Sequence, residues 1–186
     1  MSLFTDIKTA KGRIDANYVR PSHFLARIDA CKTGETRKGD GFMVIEMTVI
    51  EDLAPNEFDQ GTYGHRAGES VSHMMMAKHA SFLGNVKAFI KAVLQMDEDA
   101  IEPAHAEAIC ADDQPLQHTI IEVVARETET RAGNPFTVVN YKGEVSATDL
   151  IARWSAQDEG LDARAEKFFP GGLLAKLAEA EQQAAA

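Results

Sequence analysis

The chain has 186 residues, of which 45% are hydrophobic and 26% charged, and a formal net charge of −10, values that suit one globular domain with a packed core. No apolar run approaches the roughly 20 residues of a membrane helix, and Met1-Ser2-Leu3-Phe4-Thr5-Asp6 does not read as a signal peptide. Cys31 and Cys110 stand far apart, in no metal-ligand spacing, so the expectation is a cytoplasmic protein with two free thiols, no membrane partner, no metal and no cofactor.

Residues 1–17 mix polar and apolar types without a sustained period, which predicts an irregular lead-in before Pro21. Next, Phe24, Ala26, Ile28 and Ala30 alternate with Leu25, Arg27, Asp29 and Cys31, the period of a half-buried strand. In a second strand Met43, Ile45, Met47 and Val49 share one face, and Phe42, Val44, Glu46 and Thr48 the other. Thr36-Arg37-Lys38-Gly39 joins these two runs, and the same Thr-Arg-x-Gly pattern returns as Thr130-Arg131-Ala132-Gly133 between two further β-rich runs. The chain thus reads as two hairpins of similar design.

The composition of residues 53–68 predicts a surface loop, and Glu69 to Ala77 a third strand. Phe82, Leu83, Val86, Phe89, Ile90, Val93 and Leu94 recur at helical spacing, with Ser81 as N-cap and Lys87 and Lys91 on the wet face. An acidic connector with room for a short helix over 104–111 closes at Pro115, and the second hairpin is expected over 119–126 and 135–142. Beyond Gly143, Ser146 or Thr148 can cap a helix over 149–157 whose stripe is Leu150, Ile151 and Trp154; after the break at Pro170-Gly171-Gly172, a short helix over 173–181 leads into a frayed end. The divisions are a lead-in at 1–17, a β domain at 18–143 and a helical C-terminal extension at 144–186.

The negative charge is unevenly placed. Residues 1–96 carry 12 basic and 11 acidic groups and residues 115–143 carry 3 of each, whereas residues 97–114 hold seven acids and no base, and residues 144–186 hold eight acids against four bases. Neutral hairpins with basic tips can bind a polyanion locally, with strong salt dependence.

Three strands, a helix and two strands, in that order, make the fold expectation mainly β with flanking helices: an OB-fold-like five-stranded Greek-key barrel with a helix between strands 3 and 4. Ligands of that fold lie across strands 2 and 3, between the loop joining strands 1 and 2 and the loop joining strands 4 and 5. Those loops are here the two Thr-Arg-x-Gly turns.

From about Tyr18 to Gly143 the chain resembles phage-encoded OB-fold single-stranded DNA-binding proteins. The resemblance rests on the charged turn before FMVIEMTVIE, the segment Gly68-Glu69-Ser70-Val71-Ser72, the helix LGNVKAFIKAVL and the closing hairpin ETRAGNPFTVVNYKG. It implies sequence-tolerant coating of single-stranded DNA during replication or recombination, in a host cytoplasm if the protein is phage-encoded; replication or recombination proteins and a second copy of the chain are the further partners considered. The sequence LAEAEQQAAA departs from the strongly acidic tail of many such proteins, which argues against recruitment of partners through a tail.

Single-strand binding joins a groove that follows the phosphates to aromatic faces on which bases stack. Phe42 is the first stacking candidate, because its strand phase sets it opposite the Met43-Ile45-Met47 face; covering the barrel end is the simpler alternative. Phe136 and Tyr141 fall on opposite faces of their strand, and Tyr141 is assigned to solvent because its hydroxyl tolerates water. Lys32, Arg37, Lys38, Arg126, Arg131 and Lys142 are the phosphate candidates, expected to converge on one groove. Each taken singly, among Glu35, Asp40, Glu127 and Glu129, reads better as a solvated charge, and the set is worth more than its members.

Catalysis has little support. His73 beside Met74, Met75 and Met76 suggests a soft-metal site, but methionine is a common core filler. The histidines form no HExxH-type pair, GTYGHRAG at 61–68 lacks phosphate-loop spacing, and no GxSxG occurs. The favoured expectation is a non-enzymatic protein that binds single-stranded DNA without strong sequence preference. Its rival is a small-barrel protein-interaction or virion-assembly module using the acidic connector and the Trp154 helix; a weaker one is a metal-dependent enzyme on His65, His73 and His79.

Overall fold

A computed structural model describes residues 17–54, 64–157 and 160–186. Its frame is one antiparallel sheet of β1 (Ser22–Glu35), β2 (Gly41–Asp52), β3 (Ser70–Met76), β4 (Ile120–Glu129) and β5 (Pro135–Glu144), with helices α1 (Phe82–Leu94), α2 (Pro103–Ile109), α3 (Ala147–Ser155), α4 (Leu161–Phe168) and α5 (Leu173–Ala185). The spatial order is β3-β2-β1-β4-β5, and the sheet is open, since its edge strands β3 and β5 share no ladder. Within the described residues no helix is long and apolar enough to cross a membrane.

Both faces of the sheet are used, because alternating side chains leave two surfaces to cover. One face holds the first core, where Phe24, Ile28, Ile45, Met47 and Val123 pack with Phe89 and Ile90 of α1. On the other, Leu25, Ile50 and Ile120 meet Trp154, Phe168, Phe169 and Leu174 from the C-terminal helices. The β1–β2 ladder shifts register twice: between Leu25 and Ala26 the extra residue is Ile50 of β2, which leaves the β1 alternation intact, and between Ile28 and Ala30 it is Asp29 of β1, where the alternation breaks. An inserted residue reverses strand phase, so Cys31, rather than Ala30, enters the first core.

The C-terminal helices are fastened by charged side chains as well as by apolar packing. The Glu51 carboxylate accepts the Trp154 indole N–H at 3.0 Å and contacts from Arg153 and Gln157 at 2.9 and 3.1 Å. Arg27 donates to the Phe168 carbonyl and lies over the Phe169 ring, 5.9 Å from its centroid. Glu181 on α5 accepts the Ala147 and Thr148 amides at 2.6 and 3.1 Å, satisfying donors that the first turn of α3 leaves bare.

Some local expectations change. Ser146 does cap α3, accepting the Asp149 amide at 2.9 Å, but Ser81 makes no side-chain cap on α1. The last helix runs to Ala185 instead of fraying after residue 181. Helix α4 has no counterpart in the sequence pattern, because Phe168 is its only buried residue and one apolar anchor gives no period. All but Asn17 of the expected lead-in at 1–17, and most of the loop at 53–68, lie outside the described residues.

Candidate functional site

The two Thr-Arg-x-Gly segments fold into the same turn. In the first, the Gly39 amide donates to the Thr36 carbonyl and the Thr36 amide to the Asp40 carbonyl, both at 2.9 Å, while the Asp40 amide reaches Thr36 Oγ1 at 3.2 Å. In the second, Gly133 to Thr130 is 2.9 Å, Thr130 to Asn134 is 2.8 Å, and the Asn134 amide reaches Thr130 Oγ1 at 3.1 Å. Gly39 and Gly133 sit at φ +81° and +79°, the left-handed conformation that closes a three-residue hairpin loop and that glycine adopts without strain. Arg37 and Arg131 therefore occupy equivalent, exposed tip positions.

Beside the first turn the outer face of the sheet is bare. Phe42 lies across from Gly34 in the β1–β2 register, and a Cβ at Gly34 would come within 2.9 Å of the Phe42 ring tip; the missing side chain is what gives the ring its place. A cleft of about 360 Å³ opens there, lined by Phe42, Val44, Lys32, Met74 and Tyr18. Tyr18 is 48% exposed and is held at the edge of β3 by the Asn17–Ser72 and Val19–Ser72 backbone bonds of 2.9 and 3.0 Å. Its sequence signal, an aromatic at the end of a polar lead-in, carries no strand period and so goes unnoticed in a periodicity reading.

On β5 the parity argument holds but the choice of face reverses. Phe136 is 44% exposed and Val138 37%, whereas Tyr141 packs against the first core, its ring meeting Phe89 edge-on at 4.9 Å between centroids. Its hydroxyl lies 2.6 Å from His73 Nδ1 on β3, so the polar tip that suggested solvent is satisfied inside. Burial drives the Tyr141 pKa well above its usual value, with the Cys31 thiol adding to the effect. Burial also lowers His73 to about 4, keeping the imidazole neutral at ordinary pH.

The six cations do not converge on one groove. Lys32 lines the Phe42 cleft, but its ammonium is 2.7 Å from Glu46. Among the described residues Arg37, Lys38, Arg126, Arg131 and Lys142 make no ion pair; Arg37 and Lys38 share their turn with Asp40, which Lys78 holds at 2.9 Å. Arg126 stands opposite Val138, one ladder step of two residues from Phe136. Lys142 sits at the bulge of the β4–β5 ladder and lines a different cleft, with Lys91 of α1 and, beyond the end of that helix, Gln95 and Glu98.

The histidines named for a metal site also separate. His65 accepts the Arg20 amide on Nε2 at 2.9 Å and faces Glu69 through Nδ1 at 2.8 Å, and it does not line the cleft that His73 and His79 share. Desolvation lowers the His65 pKa despite the Glu69 hydrogen bond, which leaves Nε2 free to accept. No group of three metal-ligating side chains occurs among the described residues. Cys31 is buried, which pushes its thiol up to about 12 and makes it a poor nucleophile. No family model matches the chain, and no curated protein matches it.

Proposed function

We propose that the protein binds single-stranded DNA without strong sequence preference, coating unpaired strands during phage-type replication or recombination. The observation that carries this reading is the outer face of β1, β2 and β3, where the partly buried Phe42 and exposed Tyr18 flank one cleft. Bases of any identity present a π-face to such rings. Arg37 and Lys38 on the adjoining turn and Arg126 and Arg131 on the second hairpin supply cations that phosphates would draw. Phe136 joins the rings in place of Tyr141. The fold reading, an OB-type Greek-key barrel, draws support from the spatial order β4-β1-β2-β3, with the fourth strand returning beside the first.

The rival, a protein-interaction module, draws on Leu83, 74% exposed on α1, and on the exposed Phe136 and Val138 of β5. Fluorescence anisotropy of a labelled single-stranded oligonucleotide at low and moderate salt, with duplex as competitor, separates the two. Single-strand-selective binding that weakens with salt is the expected result. No binding at low salt would sink the nucleic-acid reading and leave the protein-interaction module standing.

A further inference from the structure

Between β3 and β5 the sheet has a gap. The two strands share no ladder, and a cleft of about 380 Å³ lies between their edges, lined by Tyr18, Val19, Met74, Met76, Thr137 and Val139. Both strands run parallel to β1, since each is two antiparallel steps away from it.

Strand alternation fixes which backbone groups face this gap. Ser72 accepts the Val19 amide at 3.0 Å and gives its own amide to Asn17 at 2.9 Å, so its polar groups point away from β2. By the two-residue period, Met74 points its amide and carbonyl the same way. On β5, the hairpin closes with the Thr130–Asn134 backbone bond of 2.8 Å, so Phe136 and Val138 bond to β4 while Thr137 and Val139 turn theirs to the gap. Among the described residues, no partner is found for the gap-facing groups of Met74, Thr137 and Val139. The His73–Tyr141 hydrogen bond of 2.6 Å links the two strands on the inner side.

We infer that this gap is a second binding site, which takes an extended polypeptide segment of a partner protein as an added strand. Two facing edges offer alternating amides and carbonyls, and only a backbone with both donors and acceptors satisfies both walls. A polynucleotide backbone presents phosphate oxygens, which accept but do not donate, and so leaves the strand carbonyls unpaired. Residues 17–19 of the chain already dock on β3 in this manner at Ser72. An incoming segment would continue that contact toward Met74. It would be free of proline and apolar at the alternate positions that face the first core, matching Val19 and Val139. This site adjoins the proposed stacking cleft, with which it shares Tyr18 and Met74, but its test does not depend on nucleic-acid binding.

The experiment is amide hydrogen exchange on the full chain, titrated with a capped short peptide of alternating Val and Thr. A second peptide, N-methylated at alternate residues, and an oligothymidylate serve as comparisons. Saturable protection of the Met74, Thr137 and Val139 amides by the first peptide is expected, with affinity roughly tenfold or more lower for the N-methylated one. Absence of protection, equal protection by both peptides, or protection of these amides by the oligothymidylate alone would each overturn the inference.

Discussion

Phe42 is partly exposed and Tyr18 48% exposed, for different reasons. Phe42 is propped over the bare Gly34 backbone, and Tyr18 is carried to the edge of β3 by the bonds of its neighbours. Each base stacked on such a ring contributes about 1–3 kcal/mol. Phe42→Ala and Tyr18→Ala should therefore each weaken oligonucleotide binding by about 5- to 150-fold in an anisotropy titration, with the fold intact by circular dichroism. Tyr141→Phe should leave binding nearly unchanged and instead lower stability by about 1–2 kcal/mol in urea unfolding, because His73 loses its partner. His73 makes stability depend on pH in a fixed direction. Its folded pKa of about 4 lies below the ordinary 6.5, so above pH 6.5 both states are neutral, and between 6.5 and 4 only the unfolded state takes the proton. Stability is present above 6.5 and is lost as pH falls toward 4, by roughly 3 kcal/mol at most. His73→Gln should flatten that part of the pH–stability curve; an unchanged curve would remove His73 as its source.

At the scale of elements, the two hairpins place Arg37 and Arg131 at equivalent points of matching turns, both held by a threonine hydroxyl and a left-handed glycine. A cation that displaces counterions from DNA contributes about one unit to the slope of log affinity against log salt. Arg37→Ala and Arg131→Ala should each flatten that slope by about 1, and Lys38→Ala likewise, while Lys142→Ala should leave it unchanged because Lys142 faces the α1 cleft. Equal effects from Lys142 would show that the strand follows a different path.

Across the whole molecule, α3, α4 and α5 cover one end of the outer face, over Leu25, Ile50 and Ile120, and leave the end nearest the first turn bare. The C-terminal helices thereby limit where a ligand can lie. They are also part of the core: removing them would uncover a buried apolar surface on the sheet. Trp154→Ala is expected to cost about 3–5 kcal/mol in denaturant unfolding. A chain ending at Gly143 should aggregate or lose cooperative unfolding; a soluble, cooperatively folding fragment would show that the β domain stands alone.

Local chemistry was enough to determine much of this architecture. Two-residue alternation marked β2, helical spacing marked α1 through Val86, Phe89, Ile90 and Val93, and the Thr-Arg-x-Gly pattern marked two equal turns, because each depends on residues close in sequence. What depended on distant residues was decided by tertiary structure. Tyr141 turned inward because His73, 68 positions away, takes its hydroxyl. Cys31 entered the core because a bulge shifted the phase of β1. Lys142 left the expected groove at another bulge. Parity says only that neighbouring side chains part to opposite faces; which face is wet is set by what packs against the sheet.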